Sequence, residues 1–460
     1  MSDDLLDDLA PWIEALERRI AEGPVATAVP AEEVRRHLAE TFDLERAMPL
    51  PRVVEEVTGM LERWQVQVTH PRYFGLFNPS VTPASVIGDT LVAAFNPQLA
   101  AWSHSPAANE IERFTLRAIA KRLGFDPEAS AAHFTSGGAE ANLTAVVAAL
   151  ADAFPEWAGA GVRGLPGEPR LYVSGEGHHS IHKAARVTGL GDGAVGRVRT
   201  DATGRMKLED LEAQLAADRR SRMRPFLVVA TAGTTASGAI DPLEKIAELC
   251  AREGLWFHVD AAWAGAAALA PSLRRHLAGI ERADSLTFDA HKWLSVPMGA
   301  GMFFCRRPWA LEAAFGLRTP YMPAARRGAE VQDPFSHSLQ WSRRFIGLKL
   351  FMTLAEAGFP GIALRIEHQA RIGEHLRSRL TEEGWTIASE TPLPIVCFTR
   401  PGLDVRRLVA RLHDQQIAWM SPIRIARGPL LVRACITSYR TTEEDIDRTV
   451  AELGRLAGGR

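Results

Sequence analysis

The sequence predicts an α/β protein whose main sheet is mostly parallel, followed by a smaller α+β domain. From about residue 85, helical patterns alternate with short apolar runs, which is typical of a parallel sheet covered by helices. After about residue 345, a long helical stretch leads to three apolar runs and a last helix. Residues 3–65 carry helical periodicity alone. We therefore predict a helical arm over residues 1–82, a large domain over 83–345 and a small domain over 346–460.

The arm is predicted to contain several short helices, because prolines interrupt its helical pattern. These prolines are Pro11, Pro24, Pro30, Pro49 and Pro51. In the large domain, four apolar runs predict strands: "RLYVSG" from residue 170, "FLVVATAG" from 226, "LWFHVDAA" from 255 and "SLTFDA" from 285. In the small domain, the strands are predicted at "IVCFTR", "IAWMSPIRI" and "LLVRACITS". The sequence from Thr441 to Glu444 fits a capping box that opens the last helix.

Composition excludes several classes of protein. The 460 residues are 46% hydrophobic and 23% charged, with a formal net charge of −2, which is typical of a soluble globular protein and argues against a nucleic-acid partner. The four cysteines lie singly and predict reduced core thiols. The N-terminus lacks the basic start of a signal peptide, and no run of about 18 apolar residues occurs. We therefore expect a cytoplasmic protein without a membrane partner.

The candidate chemistry follows the predicted strands, because ligands bind beyond the carboxyl ends of strands in such sheets. Ser136, Gly137 and Gly138 precede a helix that begins near Ala139. Glycines let a phosphate approach the backbone, and a helix N-terminus offers free amides. Taken alone, the motif is more often a plain turn. It lacks the lysine of a nucleotide-binding P-loop.

Histidines and threonines follow two further strands. His178 and His182 are one helical turn apart, but no third metal ligand is evident nearby, so we predict no metal. A ring packed against a planar ligand is the sharper interpretation of His178, and a solvated helix cap is the alternative. Thr234 and Thr235 follow the strand from residue 226, where a capped turn is the ordinary interpretation.

A carboxylate and a lysine complete the set. Asp260 closes an apolar strand, where it needs a cation or strong donors, and an interior ion pair or a helix cap explains it equally well. Lys292 lies within "SLTFDAHKWLSV", where apolar flanks would desolvate its amine and favour a nucleophile. Together a phosphate cradle, a stacking ring, a carboxylate and a lysine match what pyridoxal 5'-phosphate (PLP) requires from a protein.

With these motifs the chain resembles the group II PLP-dependent amino-acid decarboxylases, the family of aromatic-L-amino-acid, glutamate and tyrosine decarboxylases. The likeness runs from "HPRYFGLFNPS" at residue 70 to the C-terminus. It includes Ser285-Leu286, five residues, then Lys292-Trp293-Leu294, as well as "HVDAAWAG", the Gly137-Gly138 segment, His178 to Ala184 and "SPAANEIE". The resemblance implies fold-type I (aspartate-aminotransferase-like), with a mostly parallel seven-stranded sheet.

The resemblance also implies roles for single residues. Lys292 would be the Schiff-base lysine, Asp260 the partner of the pyridine nitrogen, Ala262 the residue under the ring and His178 the stacking histidine. Thr235 would approach the ring oxygen or Asp260. The phosphate would lie among Gly137, Gly138, Ala139 and His291. One departure is Asp289-Ala290, where the family commonly has Asn-Pro. A carboxylate beside the phosphate would repel it, which argues against a phosphate contact at Asp289.

The implied reaction is decarboxylation of an L-amino acid to its amine and CO2. Tyr321, in a Pro-, Ala-, Arg- and Gly-rich tract, would return a proton to the substrate carbon, assisted by His178. Family members are homodimers with active sites at the interface, so the arm would wrap the other subunit and residues 70–108 would reach the partner's cofactor. The expected substrate-pocket residues are Leu76, Phe77, Asn78, Gln98 and Ala100.

The pocket favours an aromatic or other bulky substrate, although the aromatic pair of aromatic-specific relatives is reduced to Leu76 and Ala100 here. An acidic or other polar substrate is the alternative. Aldehyde synthesis is the rival reaction within the family, and a related lyase or desulfurase is a rival outside it. A folded scaffold with a vestigial site is the non-enzymatic alternative.

Overall fold

A computed structural model of the chain describes residues 2–317 and 331–458. Its centre is a seven-stranded sheet in the order β1-β7-β6-β5-β4-β2-β3. Strand β7 is antiparallel to β1 and β6, and the other neighbouring strands are parallel. The strands are β1 (Ala131–Thr135), β2 (Glu168–Ser174), β3 (Val195–Val198), β4 (Met223–Thr231), β5 (Trp256–Asp260), β6 (Ser285–Asp289) and β7 (Gly301–Cys305). The predicted mostly parallel α/β sheet is confirmed.

Four of these strands were predicted, and β1, β3 and β7 were not. Central strands β5 and β6 are buried throughout, so they appear in the sequence as continuous apolar runs. Strands β1 and β3 lie at the two edges of the sheet and have four or five residues each. Short edge strands carry too few buried residues for a clear pattern.

Helices cover this sheet. They are α4 (Pro83–Phe95), α5 (Pro106–Leu123), α6 (Gly138–Ala153), α7 (Trp157–Ala160), α8 (Ser180–Val187), α9 (Leu208–Arg219), α10 (Leu243–Glu253), α11 (Pro271–Arg274) and α12 (Pro308–Phe315). Helix α6 is buried over most of its length, from Ala141 to Ala151. It therefore crosses the sheet as a core element and carries its first turn to the carboxyl ends of the strands.

The arm contains three helices: α1 (Ser2–Glu22), α2 (Ala31–Thr41) and α3 (Leu50–Arg63). Pro30 and Pro49 precede α2 and α3, as proline-marked starts require. The break predicted at Pro11 is wrong, because Pro11 lies inside α1 and costs that helix only one backbone hydrogen bond. Arg440 pairs with Glu17 and ties α1 to the C-terminal part of the chain.

The C-terminal part has a four-stranded antiparallel sheet in the order β10-β11-β9-β8. Its elements are α13 (Leu348–Glu382), β8 (Thr386–Ile387), β9 (Ile395–Thr399), α14 (Val405–Asp414), β10 (Ser421–Ile423), β11 (Leu431–Cys435) and α15 (Glu443–Gly458). The α+β prediction is confirmed. The domain boundaries at 82 and 345 stay predictions; they fall just before α4 and α13.

Helix α15 is capped one residue later than predicted. The Thr442 hydroxyl accepts from the Asp445 amide at 3.2 Å, and the Asp445 carboxylate accepts from the Thr442 amide at 3.0 Å. The Thr441 hydroxyl instead donates to the Pro71 carbonyl at 2.6 Å. The capping pair is therefore Thr442 with Asp445, and Thr441 joins the small domain to the segment after the arm.

All four cysteines are free and buried, as predicted for core thiols. Across the described residues, no helix combines the length and hydropathy needed to cross a membrane.

Candidate active site

The carboxyl ends of the central strands meet at one cavity of about 320 Å³. Thr231 on β4 is in register with Asp260 on β5, which is in register with Thr287 on β6. The described residues that line the cavity are Phe77, Ser136, Gly137, Gly138, Ala139, Asn142, His178, Thr231, Gly233, Thr235, Asp260, Ala262, Trp263, Asp289, His291, Lys292 and Met298. Every residue predicted to bind the cofactor is in this set.

The loop before α6 forms one end of the cavity. A Cβ atom on Gly137 would lie 3.3 Å from the His291 ring, and one on Gly138 would lie 2.9 Å from Asp289 Oδ2. Larger residues would therefore collide with the groups that face this loop. The loop is held by Glu140, whose carboxylate accepts from the Ser136 amide at 2.8 Å and from Gln340 Nε2 at 2.8 Å. The result is a fixed helix N-terminus that suits an anion.

Lys292 lies between this loop and Asp260, but its amine is not surrounded by apolar groups alone as expected. Its Nζ lies 3.0 Å from Asp289 Oδ2, and it lies 5.5 Å from the centre of the Phe77 ring. Asp289 is buried, and its Oδ1 has no hydrogen-bond partner among the described residues. Asp289 is therefore the counter-ion of Lys292, a role that the sequence did not suggest.

His291 also faces Asp289. Its Nδ1 accepts from the Ala300 amide at 3.1 Å, so the ring proton of the neutral form is on Nε2, 3.9 Å from Asp289 Oδ2. Burial lowers the pKa of His291 below its usual value, while Asp289 opposes that shift. A neutral ring that points a donor toward the phosphate end agrees with the predicted place of His291.

Asp260 lines the same cavity and is held on both oxygens. Its Oδ1 accepts from the Ala262 amide at 3.1 Å, and its Oδ2 accepts from Asn142 Nδ2 at 2.8 Å. Among the described residues, two neutral donors therefore take the place of the interior ion pair that would also explain Asp260. These donors stabilise a carboxylate that can accept a further hydrogen bond from a ligand.

His178 lies at the mouth of the cavity, and Thr235 is exposed beside it. Partial burial lowers the pKa of His178, and the charge of Asp260 opposes that effect. His182 faces Asp192 instead, with its Nδ1 at 3.4 Å from the carboxylate. Across residues 2–317 and 331–458, no group of three or more His, Cys, Asp or Glu side chains could hold a metal ion.

The predicted substrate pocket is only partly assembled in one chain. Phe77 lines the cavity, and Asn78 donates to Met298, which also lines it. Leu76 is half exposed, Ala100 is buried elsewhere, and Gln98 lines a separate apolar cavity beside α4. The assignment of Leu76, Gln98 and Ala100 stays a prediction. Tyr321 lies outside the described residues.

Five lining residues were missed: Asn142, Thr231, Gly233, Trp263 and Met298. Asn142 had a signal, since it is a polar residue one helical turn after Gly138 and therefore on the same side of the helix. Thr231 likewise ends its strand in register with Asp260. Trp263 packs between Phe77 and Trp293, with ring centres 4.8 and 4.9 Å away. Met298 had no signal, because it lies in a loop.

These residues fit PLP. An anion-binding helix N-terminus, the Asp260 carboxylate and one lysine amine line the same cavity. Glycines leave the space that a Cβ would fill at the phosphate end, and buried Asp289 Oδ1 and Thr231 Oγ1 lack partners among the described residues. Lys292 would hold the cofactor, Asp260 would meet its ring nitrogen, and the first turn of α6 would hold its phosphate.

Comparison with known proteins agrees with this geometry. The pyridoxal-dependent decarboxylase conserved domain matches residues 32–400. The chain is 28% identical over 450 residues to an aromatic-L-amino-acid decarboxylase of Bacillus atrophaeus, covering 94% of this chain and 91% of that protein. It is 32% identical over 415 residues to human cysteine sulfinic acid decarboxylase, covering 86% and 83%.

Solved structures show the same fold. A crystal structure of mouse CSAD matches with a TM-score of 0.88 and 27% identity, covering 99% of this chain and 98% of that one. The structure of Oryza sativa TDC with PLP and tryptamine matches with a TM-score of 0.92 at 23% identity, covering 99% and 97%, and so supports the fold alone. The implied fold-type I architecture is confirmed. This chain belongs to the pyridoxal-dependent decarboxylase family and is a PLP-dependent amino-acid decarboxylase.

Proposed function

We propose that the enzyme converts an aromatic or other bulky, uncharged L-amino acid to its amine and CO2. The observation that supports this proposal is which apolar and charged residues line the cavity. Phe77, Trp263, Ala262 and Met298 supply apolar surface, and Lys292 is the one lysine or arginine among the described lining residues. Since Lys292 is required for the cofactor, no described cation in the wall is left to bind a side-chain carboxylate.

The chain's own residues support this reaction as follows. PLP, when bound, supplies an electron sink conjugated to the substrate α-carbon. Asp260 would keep a proton at the ring nitrogen, because two neutral donors hold it as an acceptor. Asp289 orients Lys292 Nζ from 3.0 Å. The stack of Phe77, Trp263 and Trp293 excludes water from one side of the cavity.

Proton return is proposed for Tyr321 with help from His178, as the family resemblance implies. His178 faces the cavity and stays neutral near pH 7, because burial lowers its pKa. A tyrosine that returns the proton favours simple decarboxylation over aldehyde synthesis. Replacement of Tyr321 by Phe is the direct test, because oxygen consumption and aldehyde formation should then rise relative to amine formation.

Arg433 favours a second candidate, an acidic substrate. This arginine on β11 is buried, and its Nε and Nη2 have no hydrogen-bond partner among the described residues. Its guanidinium lies 5.0 Å from the centre of the Phe77 ring, and Phe77 lines the cavity. If Phe77 moved aside, two free donors would face a substrate carboxylate. The names of relatives include both aromatic and acidic substrates.

The deciding experiment is product analysis across a substrate panel. The PLP-loaded enzyme is incubated with phenylalanine, tyrosine, tryptophan, leucine, glutamate, aspartate and cysteine sulfinate, and CO2, amine, oxygen uptake and peroxide are measured. We expect amine and CO2 in equal amounts from a bulky uncharged substrate, without oxygen uptake. Preference for the acidic substrates, abolished in Arg433→Leu, would favour the second candidate.

Lys292→Ala is the matched control for that panel. It should lose both turnover and the visible absorbance of the lysine-bound cofactor. Retention of both properties would contradict the assignment of Lys292 and revive the vestigial-scaffold alternative.

We also propose that the active enzyme is a homodimer. Leu76, Phe95 and Phe114 are large apolar residues that are 50%, 76% and 68% exposed in the single chain. If a second copy covers these residues, Gln98 and Ala100 of the first copy would lie near the cofactor of the second copy, as the resemblance implies. Light scattering should give twice the monomer mass, and Phe95→Glu should lower both the mass and the turnover.

A further inference from the structure

Asn142 is the centre of a buried hydrogen-bond chain that joins Asp260 to His178 and His258. Its Nδ2 lies 2.8 Å from Asp260 Oδ2 and 2.8 Å from Ser180 Oγ. Its Oδ1 lies 2.8 Å from Thr287 Oγ1 and 3.1 Å from His258 Nε2. All four hydrogen-bonding positions of this amide are therefore occupied, and the residue is fully buried.

The direction of every bond follows from Asp260. Asp260, when ionised, only accepts, so the atom of Asn142 that faces it must be the NH₂ group. Asn142 Oδ1 therefore faces His258 Nε2, which must donate to it, so neutral His258 carries its proton on Nε2. Its Nδ1 then accepts from the Ser285 hydroxyl at 2.8 Å, and Ser285 Oγ accepts from Trp256 Nε1, also at 2.8 Å.

The second hydrogen of the Asn142 amide continues the chain to His178. It goes to Ser180 Oγ, whose own hydrogen is then free to bond His178 Nδ1 at 2.8 Å. The Ser180 backbone amide also donates to His178 Nδ1, at 3.2 Å. Neutral His178 therefore carries its proton on Nε2. That nitrogen can donate a hydrogen bond to a ligand but cannot take a proton.

We propose that Asn142 is a positioning residue that holds Asp260 as a hydrogen-bond acceptor for the ring nitrogen of the cofactor and links it to His178 through Ser180. The inference rests on the proposed roles of Asp260 and His178. Among the described residues, Asn142 is the donor to Asp260 Oδ2, whereas the Ala262 amide bonds Oδ1. The position of Oδ2 therefore depends on Asn142.

The test compares the affinity of the apoenzyme for PLP with its affinity for the analogue in which carbon replaces the ring nitrogen. In the wild type, PLP should bind more tightly, because only PLP can bond Asp260. Asn142→Ala should reduce the preference for PLP about 10-fold, since one hydrogen bond to a charged group is lost. Affinity for the analogue should change less than about 3-fold. Equal weakening of both ligands would overturn the proposal, because it would indicate general damage to the cavity.

Ser180→Ala is the matched control, since it removes the other acceptor of the same amide without touching Asp260. It should leave the preference for PLP within about 2-fold of the wild type, as no hydrogen bond to Asp260 is lost. A loss as large as that in Asn142→Ala would contradict the proposed role. Thr287→Val serves if Asn142→Ala does not fold: it removes one donor to Asn142 Oδ1 and should lower the preference to an intermediate value, whereas an unchanged preference would overturn the proposal.

Nitrogen NMR of the apoenzyme tests the direction of the chain independently of the cofactor. His178 should show an unprotonated Nδ1 and a protonated Nε2 at neutral pH, and His258 should show the same tautomer. A proton on Nδ1 of either ring would overturn the assignment. If the wild type bound PLP and the analogue equally well, the role of Asp260 itself would fail, which is a different result from a failure of Asn142.

Discussion

Two clusters, each built around a buried histidine of the central sheet, His258 on β5 and His133 on β1, differ in how their ring nitrogens are paired. In the active-site cluster (His178, His258, Asn142 and Asp260), both ring nitrogens of His258 are hydrogen-bonded. In the β1-edge cluster (His133, His337, Arg343 and Glu112), both nitrogens of His133 and Nδ1 of His337 lack partners among the described residues. The rings of His133 and His337 are 5.7 Å apart.

Neither a shifted pKa nor a cavity is enough to identify the active site, because both clusters have them. Burial lowers the pKa of His258 to about 4, and burial together with the charge of Arg343 lowers that of His337 to about 4. The residues of the β1-edge cluster line a cavity of their own, the β1-edge cavity. Its volume is about 380 Å³, against about 320 Å³ for the active-site cavity. What distinguishes the active site is that its bonds converge on a carboxylate at a strand end, opposite a glycine loop and a lysine.

The largest expected effect on stability lies in the β1-edge cluster. Glu112 and Arg343 are both almost fully buried and lie 2.6 Å apart. Arg343→Leu would leave the Glu112 carboxyl without its cation and should lower the free energy of unfolding by about 3–5 kcal/mol. Cofactor affinity per folded molecule should not change, because this pair does not line the active-site cavity. Urea denaturation and PLP titration measure the two quantities.

Arg344→Leu is the neighbouring control for Arg343→Leu. Arg344 is 57% exposed and pairs with Asp89 at 3.2 Å. An exposed pair of this kind contributes at most about 1 kcal/mol. Equal losses in the two variants would contradict the distinction between the buried and the exposed pair.

Replacing one histidine in each cluster by phenylalanine should give opposite signs. His258→Phe removes bonds to Asn142 and Ser285 and should cost about 1–3 kcal/mol of unfolding free energy, with weaker PLP binding. His133→Phe removes two unpaired nitrogens next to Phe303 and should be neutral or stabilising by up to about 1 kcal/mol. Thermal melts and PLP titration test both variants. A destabilised His133→Phe would indicate bonds to water in the β1-edge cavity.

The β1-edge cluster should also make stability depend on pH. The pKa of His337 is about 4 in the folded chain and near 6.5 when unfolded, so the unfolded chain binds the extra proton between these values. Stability should therefore fall on acidification through this range, by about 2 kcal/mol from pH 7 to pH 5 for this residue. Asp241 acts in the opposite direction, because burial raises its pKa to about 7.

Comparing wild type with His337→Phe at each pH isolates the histidine contribution to that dependence. The variant should lose less stability than the wild type between pH 7 and pH 5, measured by urea denaturation. Parallel losses in the two proteins would show that His337 is not held neutral by the fold.

The sequence predicted more of the site than of the fold's edges. Lys292, Asp260, His178 and the glycine loop were identified because cofactor chemistry requires these residue types at strand ends. Strands β1 and β7 were missed, although β1 leads into the glycine loop. The hydrogen-bonding role of Asn142 was missed because its partners are 38 to 145 positions away along the chain, so its place one turn after Gly138 does not reveal them.

Residue order alone determined the α/β class, the four central strands and the family, and it singled out residues that line the strand-end cavity. These features are local: apolar periodicity, glycines before a helix, and a lysine motif. Only the tertiary structure decided what each charge contacts. Asp289, which the sequence presented as an unexplained anion, lies 3.0 Å from Lys292, and Asp260 is held by neutral donors instead of a cation. Pairing of this kind depends on strand register across the sheet, which brings together residues that are remote in sequence.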